Sequence, residues 1–207
     1  MVLLLFLLLV VIVLAFFYFA MLASFFTGAT FVPTEGKDVR GIFEQLSIKP
    51  GEVWYELGSG DGRVVRAAAT HGARAIGIEQ SLVLVIWSRL ITRMYYVAAG
   101  LVPARATTRV AATTPQFIHA NFLKVDLSGA DTVFCYLLPG LMARLKEKLE
   151  KELKPGARVI SYAFKMPGWT PTQRLALNKR NIPAYVYIKK DKEGSERPMC
   201  SMRIDEI

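Results

Sequence analysis

Cysteine is scarce in this 207-residue chain, where Cys135 and Cys200 are the only two. Their spacing matches no zinc or dithiol motif, so neither a thiolate metal centre nor redox chemistry is expected. A core of this size needs no disulfide staples. Cys135 lies in an apolar run and reads as a buried structural thiol. Charge is missing altogether from Val2–Phe26, where Tyr18 and Ser24 carry the only hydroxyls. The basic n-region of a secretory signal is therefore absent. Internal repeats are absent, and so is any low-complexity tract besides that apolar run. Acidic residues fall short of basic ones, leaving a formal net charge of +9. That charge suits an anionic membrane surface, a nucleic acid or an acidic protein, and does not choose among them.

The hydrophobic fraction of 53% is high, and the excess sits at the N-terminus. Val2–Phe26 exceeds the about 20 residues that a helix needs to cross a bilayer core. A helix satisfies its own backbone, so lipid is a tolerable solvent for it. The competing reading is a cleaved signal, for which Thr27-Gly28-Ala29 is a weak site. Length and flanks favour a retained single-pass anchor. No Lys or Arg precedes the run, whereas Lys37, Arg40 and Lys49 follow it. The positive-inside rule then places the remainder on the cytoplasmic side, or the matrix side of a mitochondrial membrane. The expected organisation is an anchor over 1–27, a linker over 28–36 and one domain over 37–207.

Within that domain, Val39, Ile42, Phe43 and Leu46 mark one face of an amphipathic helix over 37–48. Lys49-Pro50-Gly51 is expected to end it. Short apolar runs then alternate with helical stretches. Strands are expected over 53–57, 75–79, 117–120, 132–138 and 158–164. Helices are expected over 63–71, 81–99 and 140–153. That alternation argues for an α/β fold with a parallel sheet covered on both faces. The end differs: 184–188 and 199–204 read as a terminal antiparallel hairpin turning through Gly194.

The segment Glu56-Leu57-Gly58-Ser59-Gly60-Asp61-Gly62 follows the first strand and opens a helix. Glycines at alternate positions let the backbone turn sharply and approach a ligand. Free amides at the helix start favour electron-rich groups. A dinucleotide fingerprint G-x-G-x-x-G would need a third glycine where Arg63 stands. The alternative is a tight structural turn. Glu79, at the end of the second strand, can accept both hydroxyls of a ribose; by itself it could equally be a solvated strand end.

The run Trp54-Tyr55-Glu56-Leu57-Gly58-Ser59-Gly60-Asp61-Gly62-Arg63-Val64-Val65 resembles motif I of class I S-adenosylmethionine-dependent methyltransferases. It is especially similar to a membrane-anchored family of protein-lysine methyltransferases that acts on the ATP synthase c-subunit and the adenine nucleotide translocase, with prokaryotic relatives. Asp126-Leu127-Ser128, Val133-Phe134-Cys135-Tyr136-Leu137-Leu138-Pro139 and Leu153-Lys154-Pro155-Gly156 extend the likeness over roughly 39–169. The resemblance implies a Rossmann-like sheet of seven strands, the last one antiparallel, and S-adenosylmethionine as cofactor. It implies that Glu56, Gly58, Ser59, Gly60, Asp61 and Gly62 surround the methionine part of that cofactor and that Glu79 holds the ribose. Asn121, with Phe122 beside it, falls where many relatives place an acidic residue near adenine. Asn both donates and accepts hydrogen bonds. Adenine-N6 nucleic-acid methyltransferases carry Asn/Asp-Pro-Pro-Tyr/Phe at the fourth strand. Tyr136-Leu137-Leu138-Pro139 departs from that, which disfavours a nucleic-acid substrate.

Methyl transfer asks the protein to align a nucleophile and exclude water. A lysine amine must arrive deprotonated, which partial desolvation favours. Tyr136 is the first candidate for shaping the acceptor pocket, against a plain core role. Pro139 would fix the turn beside it. Asp126 reads as a turn cap. The apolar start of the helix over 81–99 could be buried in protein or lean on a bilayer, and burial is favoured. The stretch 101–115, with Arg105 and Arg109, reads as a surface insertion before a substrate or lipid contact. The charged helix over 140–153 reads as solvated, with i,i+4 spacings such as Glu147/Lys151. Three functions remain open: a lysine methyltransferase acting on a membrane protein, a methyltransferase of a lipid or quinone, and a cofactor-binding protein without turnover.

Overall fold

The computed structural model describes residues 2–26, 33–98, 113–177 and 182–190. Helix α1 (Val2–Phe26) precedes α2 (Gly36–Gln45), β1 (Val53–Leu57), α3 (Arg63–Thr70) and β2 (Arg74–Glu79). Helix α4 (Leu82–Ala98), β3 (Gln116–His119), a single 3-10 turn (Phe122–Lys124) and β4 (Thr132–Cys135) follow. The described chain ends with α5 (Pro139–Glu152), β5 (Arg158–Tyr162), β6 (Gln173–Leu175) and β7 (Ala184–Ile188).

The seven strands form one sheet in the order β3-β2-β1-β4-β5-β7-β6. Strands β1 to β5 pair in parallel, and β7 runs antiparallel to both β5 and β6. Chain order reverses between β1 and β4. Such a switch point leaves a crevice at the carboxyl ends of the two strands, where α/β sheets bind ligands.

Both faces of the sheet are covered. Side chains alternate across a strand, so Trp54 and Phe134 enter one core with Ile42, Val65 and Val85, under α2, α3 and α4. Leu57, Val133 and Cys135 enter the other with Met142, Leu145 and Leu149 of α5. At the end away from the crevice, Glu52 Oε1 accepts from the Thr132 hydroxyl and from Arg158, each at 2.5 Å. That buried carboxylate ties the starts of β1, β4 and β5 together.

Several expectations shift. Helix α2 stops at Gln45, and Lys49–Glu52 is a separate turn with Gly51 at φ +80°. Strand β4 stops at Cys135, because the chain bends into α5 with Pro139 at its N-terminus. The hairpin partner of β7 is β6, a strand of three residues. Gly194 and 199–204 lie outside the described residues, as do 27–32, Cys200 and most of 101–115. In α5 the ion pairs are Lys146–Glu150 and Lys148–Glu152. Glu152 also accepts from Leu127 N at 3.0 Å, so this helix holds a loop. The favoured burial of the start of α4 holds in part: Val85 is buried and Val83, Leu84 and Trp87 are half-buried, whereas Leu82 and Ile86 are exposed. With Leu90 and Met94 further along they are 50–59% exposed, because the opposite face, Val85, Ser88, Thr92 and Tyr96, is the one that packs on the sheet.

Helix α1 is apolar throughout, and its large side chains from Val2 to Leu14 are exposed. Side chains of α1 are described at 2–15 and 18. Among the residues whose side chains are described, which in α1 form a continuous run only over 2–15, no helix is long and apolar enough to cross a membrane.

Candidate functional site

The glycine segment leaves β1 at the switch point. Gly58, Gly60 and Gly62 have φ of +75°, +53° and +75°, a region that L side chains rarely enter. Gly58 N and Ser59 N both donate to Ile78 O, at 2.8 and 3.1 Å, pinning the turn to β2. Gly60 N donates to Glu79 Oε2 at 2.9 Å, and Glu79 Oε1 accepts from Ser81 N at 2.8 Å. A carboxylate has about four acceptor sites, so capacity for two ribose hydroxyls remains. The expected loop and Glu79 are therefore side by side.

Glu56 is buried beneath this turn and accepts from Val65 N at 3.1 Å, at the start of α3. Burial pushes its carboxyl well above the ordinary range, and the neighbouring Asp61 and Glu79 add to that. A cation brought to this spot would relieve the strain. Ser59 Oγ is buried with no hydrogen-bond partner. A buried hydroxyl left unpaired is costly. Both observations fit a ligand that carries an ammonium group and hydrogen-bonding groups into the turn.

Asp61 faces the other way. Burial raises its carboxyl, but hydrogen bonds from Arg63 outweigh this and leave it below the ordinary value. Arg63 grips it through Nε and Nη2, the latter at 2.6 Å, and reaches Thr34 O with Nη1 at 2.8 Å. The residue standing where a dinucleotide motif would have glycine thus fastens the segment before α2 over the loop. Arg66 Nη1 donates to Asp61 O at 2.6 Å.

Asn121 caps the 3-10 turn, its Oδ1 accepting from Leu123 N at 2.9 Å, and Phe122 is buried behind it. Both lie after β3, two strands from the crevice. Asp126 accepts from Ser128 N and Oγ, each at 2.9 Å, which is the expected turn cap.

Across the switch point, Tyr136 leaves β4 half-buried. Its ring stands edge-on to Tyr162 at 4.8 Å and stacks on Phe164 at 6.4 Å. The Tyr162 hydroxyl donates to Asp38 Oδ2 at 2.5 Å, both side chains being buried. Burial, with Asp38 adding, pushes the Tyr162 phenol up. Between Tyr162 and Phe164, Ala163 has φ +66° and Phe164 N donates to Tyr162 O at 2.9 Å. That is the pattern of a rare, strained γ-turn, and it turns the Phe164 ring back toward Tyr136. Pro139 is exposed at the start of α5, where its missing N–H is no loss. It shapes the turn and does not face the cluster through any described contact.

Sequence reasoning missed Asp38, Tyr162 and Phe164 because they come from α2 and from the end of β5, 124 residues apart for the hydrogen-bonded pair. It also missed Gly77. A Cβ there would come within 2.7 Å of Ser59 Oγ and 2.9 Å of Val65, so β2 can lie against the turn only as glycine.

The family model of the ANTKMT methyltransferase domain matches residues 56–173. A protein-lysine N-methyltransferase of Saccharolobus islandicus is 32% identical over 167 residues, covering 80% of this chain and 95% of that protein. The human lysine N-methyltransferase of the ATP synthase c-subunit is 34% identical over 141 residues, 68% of this chain. The matched part amounts to 54% of the human protein. Among solved structures, an RNA methyltransferase from Salinibacter ruber in complex with S-adenosyl-L-homocysteine superposes with a TM-score of 0.65. It is 32% identical, over 80% of this chain and 97% of its own.

Proposed function

This chain belongs to the ANTKMT methyltransferase family and uses S-adenosylmethionine; from that premise we propose that it methylates a lysine ε-amine of a protein. The carrying observation is the cluster of Tyr136, Tyr162, Phe164 and Asp38 at the carboxyl ends of β4 and β5. Aromatic faces and a nearby carboxylate attract an ammonium group. The protein-lysine names of two relatives support the same reading.

The cofactor supplies a methyl group already activated by its sulfonium. Glu56 and Ser59, under the turn, would receive its methionine end. Gly58, Gly60 and Gly62 would let the backbone approach, Asp61 stays engaged with Arg63, and Glu79 would take the ribose. Asn121 and Phe122 would line the adenine side. Tyr136 borders the path of the incoming amine and helps to shed its water. An amine held beside Tyr136 would take that methyl group and give up its extra proton to water. Partial desolvation among the rings lowers the lysine pKa, so that a neutral amine is available. Pro139 keeps the turn after Tyr136 rigid.

We also read α1 as a membrane anchor, with 37–207 on the cytoplasmic or matrix side and a membrane protein as acceptor. The uncharged run and the cations after it support this. Resistance to alkaline carbonate extraction tests the anchor.

The enzyme is tested by incubating labelled S-adenosylmethionine with a membrane fraction and either wild type or Gly60→Arg. Label in a protein band, stable to nuclease and absent with the variant, is the expected result. Label in the lipid phase would transfer the substrate to a lipid or quinone. Label lost on ribonuclease treatment would transfer it to RNA, in keeping with the Salinibacter relative. Cofactor binding with no acceptor labelled in any fraction would leave a binding protein.

A further inference from the structure

We propose that α4 lies flat on an anionic membrane surface, through the stripe Leu82, Ile86, Leu90, Met94 and Val97. This rests on the reading of α1 as an anchor, and extends it to a second, peripheral contact made by the domain itself.

The stripe is 50–67% exposed. Its members recur every three or four residues, so they share one face of the helix. Soluble domains rarely leave such a run of large aliphatic side chains in water. Arg89 and Arg93 flank it, both exposed, and Tyr95 is 45% exposed beside them. Arg89 is fixed at the sheet edge, where Nη2 donates to Phe117 O at 2.6 Å. The helix contains no acidic residue. From 81 to 125 the sequence has no Asp or Glu at all, against Arg89, Arg93 and Lys124, with Arg105 and Arg109 outside the described residues.

An apolar face rimmed by arginines and tyrosine is the composition of a helix lying in a membrane interface. The Arg93 stem lies along the apolar surface with its guanidinium head reaching lipid phosphates, while Arg89, tied to Phe117 O, offers its remaining N–H groups. Anionic lipid matches the absence of acid. An RNA would use the arginines but leave Leu82, Ile86, Leu90 and Met94 in water. A second copy docking by two-fold symmetry would bring Arg89 and Arg93 toward their own counterparts. Helix α4 begins directly after β2, at the end of the sheet that holds the glycine turn. The segment arriving from α1 is fastened at that same end by Arg63 on Thr34. Docking by α4 therefore brings the cofactor crevice near the lipid surface.

The test uses the full chain, with Cys200→Ser, in vesicles of phosphatidylcholine and phosphatidylserine. A nitroxide is placed at Leu90→Cys, Met94→Cys or, as an aqueous reference on α5, Glu147→Cys. Flotation with the vesicles reads the anchor separately. Labels at 90 and 94 that are accessible to oxygen and shielded from an aqueous nickel complex, with 147 showing the reverse, are expected. Floating protein whose labels at 90 and 94 stay aqueous would overturn the docking while leaving the anchor intact. Spin–spin broadening between labels on separate chains would overturn it in favour of a second copy. Broadening produced by single-stranded RNA without vesicles would overturn it in favour of nucleic acid. Protein that never floats, with aqueous labels, removes both the anchor and the docking. In a floating protein, Ile86→Glu with Leu90→Glu should return the Met94 label to water and leave calorimetric binding of S-adenosylmethionine unchanged.

Discussion

Replacing Gly62 by alanine should destabilise the domain by about 2–5 kcal/mol and loosen the cofactor turn. Two separate effects add. The residue has φ +75°, and an L side chain in that region costs about 1–2 kcal/mol. The new Cβ would also lie 2.4 and 2.5 Å from the Phe117 ring and 3.3 Å from Ser88 Cβ. Forcing a methyl into a packed site costs about 1–3 kcal/mol. The ring cannot swing away freely, since Phe117 is buried in β3 and its carbonyl is held by Arg89. The turn must then give way. Gly62 N donates to Ser59 O at 2.8 Å, so its displacement pulls on Ser59 and on the Gly60 N–H that Glu79 accepts. The two effects separate in a double-mutant cycle with Phe117→Leu, which removes the obstructing ring. The cycle should show a favourable coupling of about 1–3 kcal/mol, with the backbone cost remaining. Urea denaturation followed by circular dichroism reads stability, and calorimetry reads S-adenosylmethionine affinity. Gly62→Ala within about 0.5 kcal/mol of wild type, or strict additivity in the cycle, would refute the reasoning.

Glu79→Gln should weaken S-adenosylmethionine about 10- to 100-fold by calorimetry, since hydrogen bonds to a charged acceptor are worth about 1.5–3 kcal/mol; unchanged affinity would detach Glu79 from the ribose. Glu56→Gln should stabilise the ligand-free protein at neutral pH while weakening the cofactor. The folded-state pKa of Glu56 is raised by burial, so the folded state binds the extra proton. Its contribution to stability therefore falls as pH rises from the unfolded value through the folded one, and the glutamine variant should lack that fall in a pH series of denaturation curves. Ala163→Gly should relax the γ-turn and stabilise by about 0.5 kcal/mol, the relief of about 1–2 kcal/mol offset by glycine entropy. The same change should raise KM for the acceptor more than it changes S-adenosylmethionine affinity, and unaltered acceptor kinetics would separate Phe164 from the pocket. Burial pushes the Cys135 thiol up to about 12, so in a Cys200→Ser background Ellman's reagent should find no reactive thiol until the protein is denatured.

The parallel part of the fold was legible because each element is coded locally. Strands β1 and β2 are largely apolar runs bounded by glycine or charge, as doubly covered parallel strands should be, with Glu56 the one charge inside β1. The glycine turn and Glu79 belong to consecutive elements, so their proximity follows from strand pairing alone. What was not legible lacked a local period. Strand β6 holds three residues, two of them Gln173 and Arg174, and exists through its pairing with β7. The outer face of α4 is as apolar as its inner one. Hydrophobicity without amphipathic contrast cannot say which side faces the sheet, so the expectation of burial holds for the inner side of α4 and fails for the outer one.

The two halves of the site differ in the same way, and this bears on function. The proposed cofactor half is built from Glu56 to Gly62 with Glu79, a compact segment of the sequence. The proposed acceptor half joins Asp38 of α2, Tyr136 after β4, and Tyr162 and Phe164 at the end of β5. Substitutions in α2 or after β5 can reshape the second half without touching the first. Two relatives, each 32% identical to this chain, are described with different acceptors, protein lysine in one and RNA in the other. Overall identity is thus a poor guide to the acceptor. A strained Ala163 that turns Phe164 onto Tyr136, and a buried carboxylate held by Tyr162, are the features that speak for an amine.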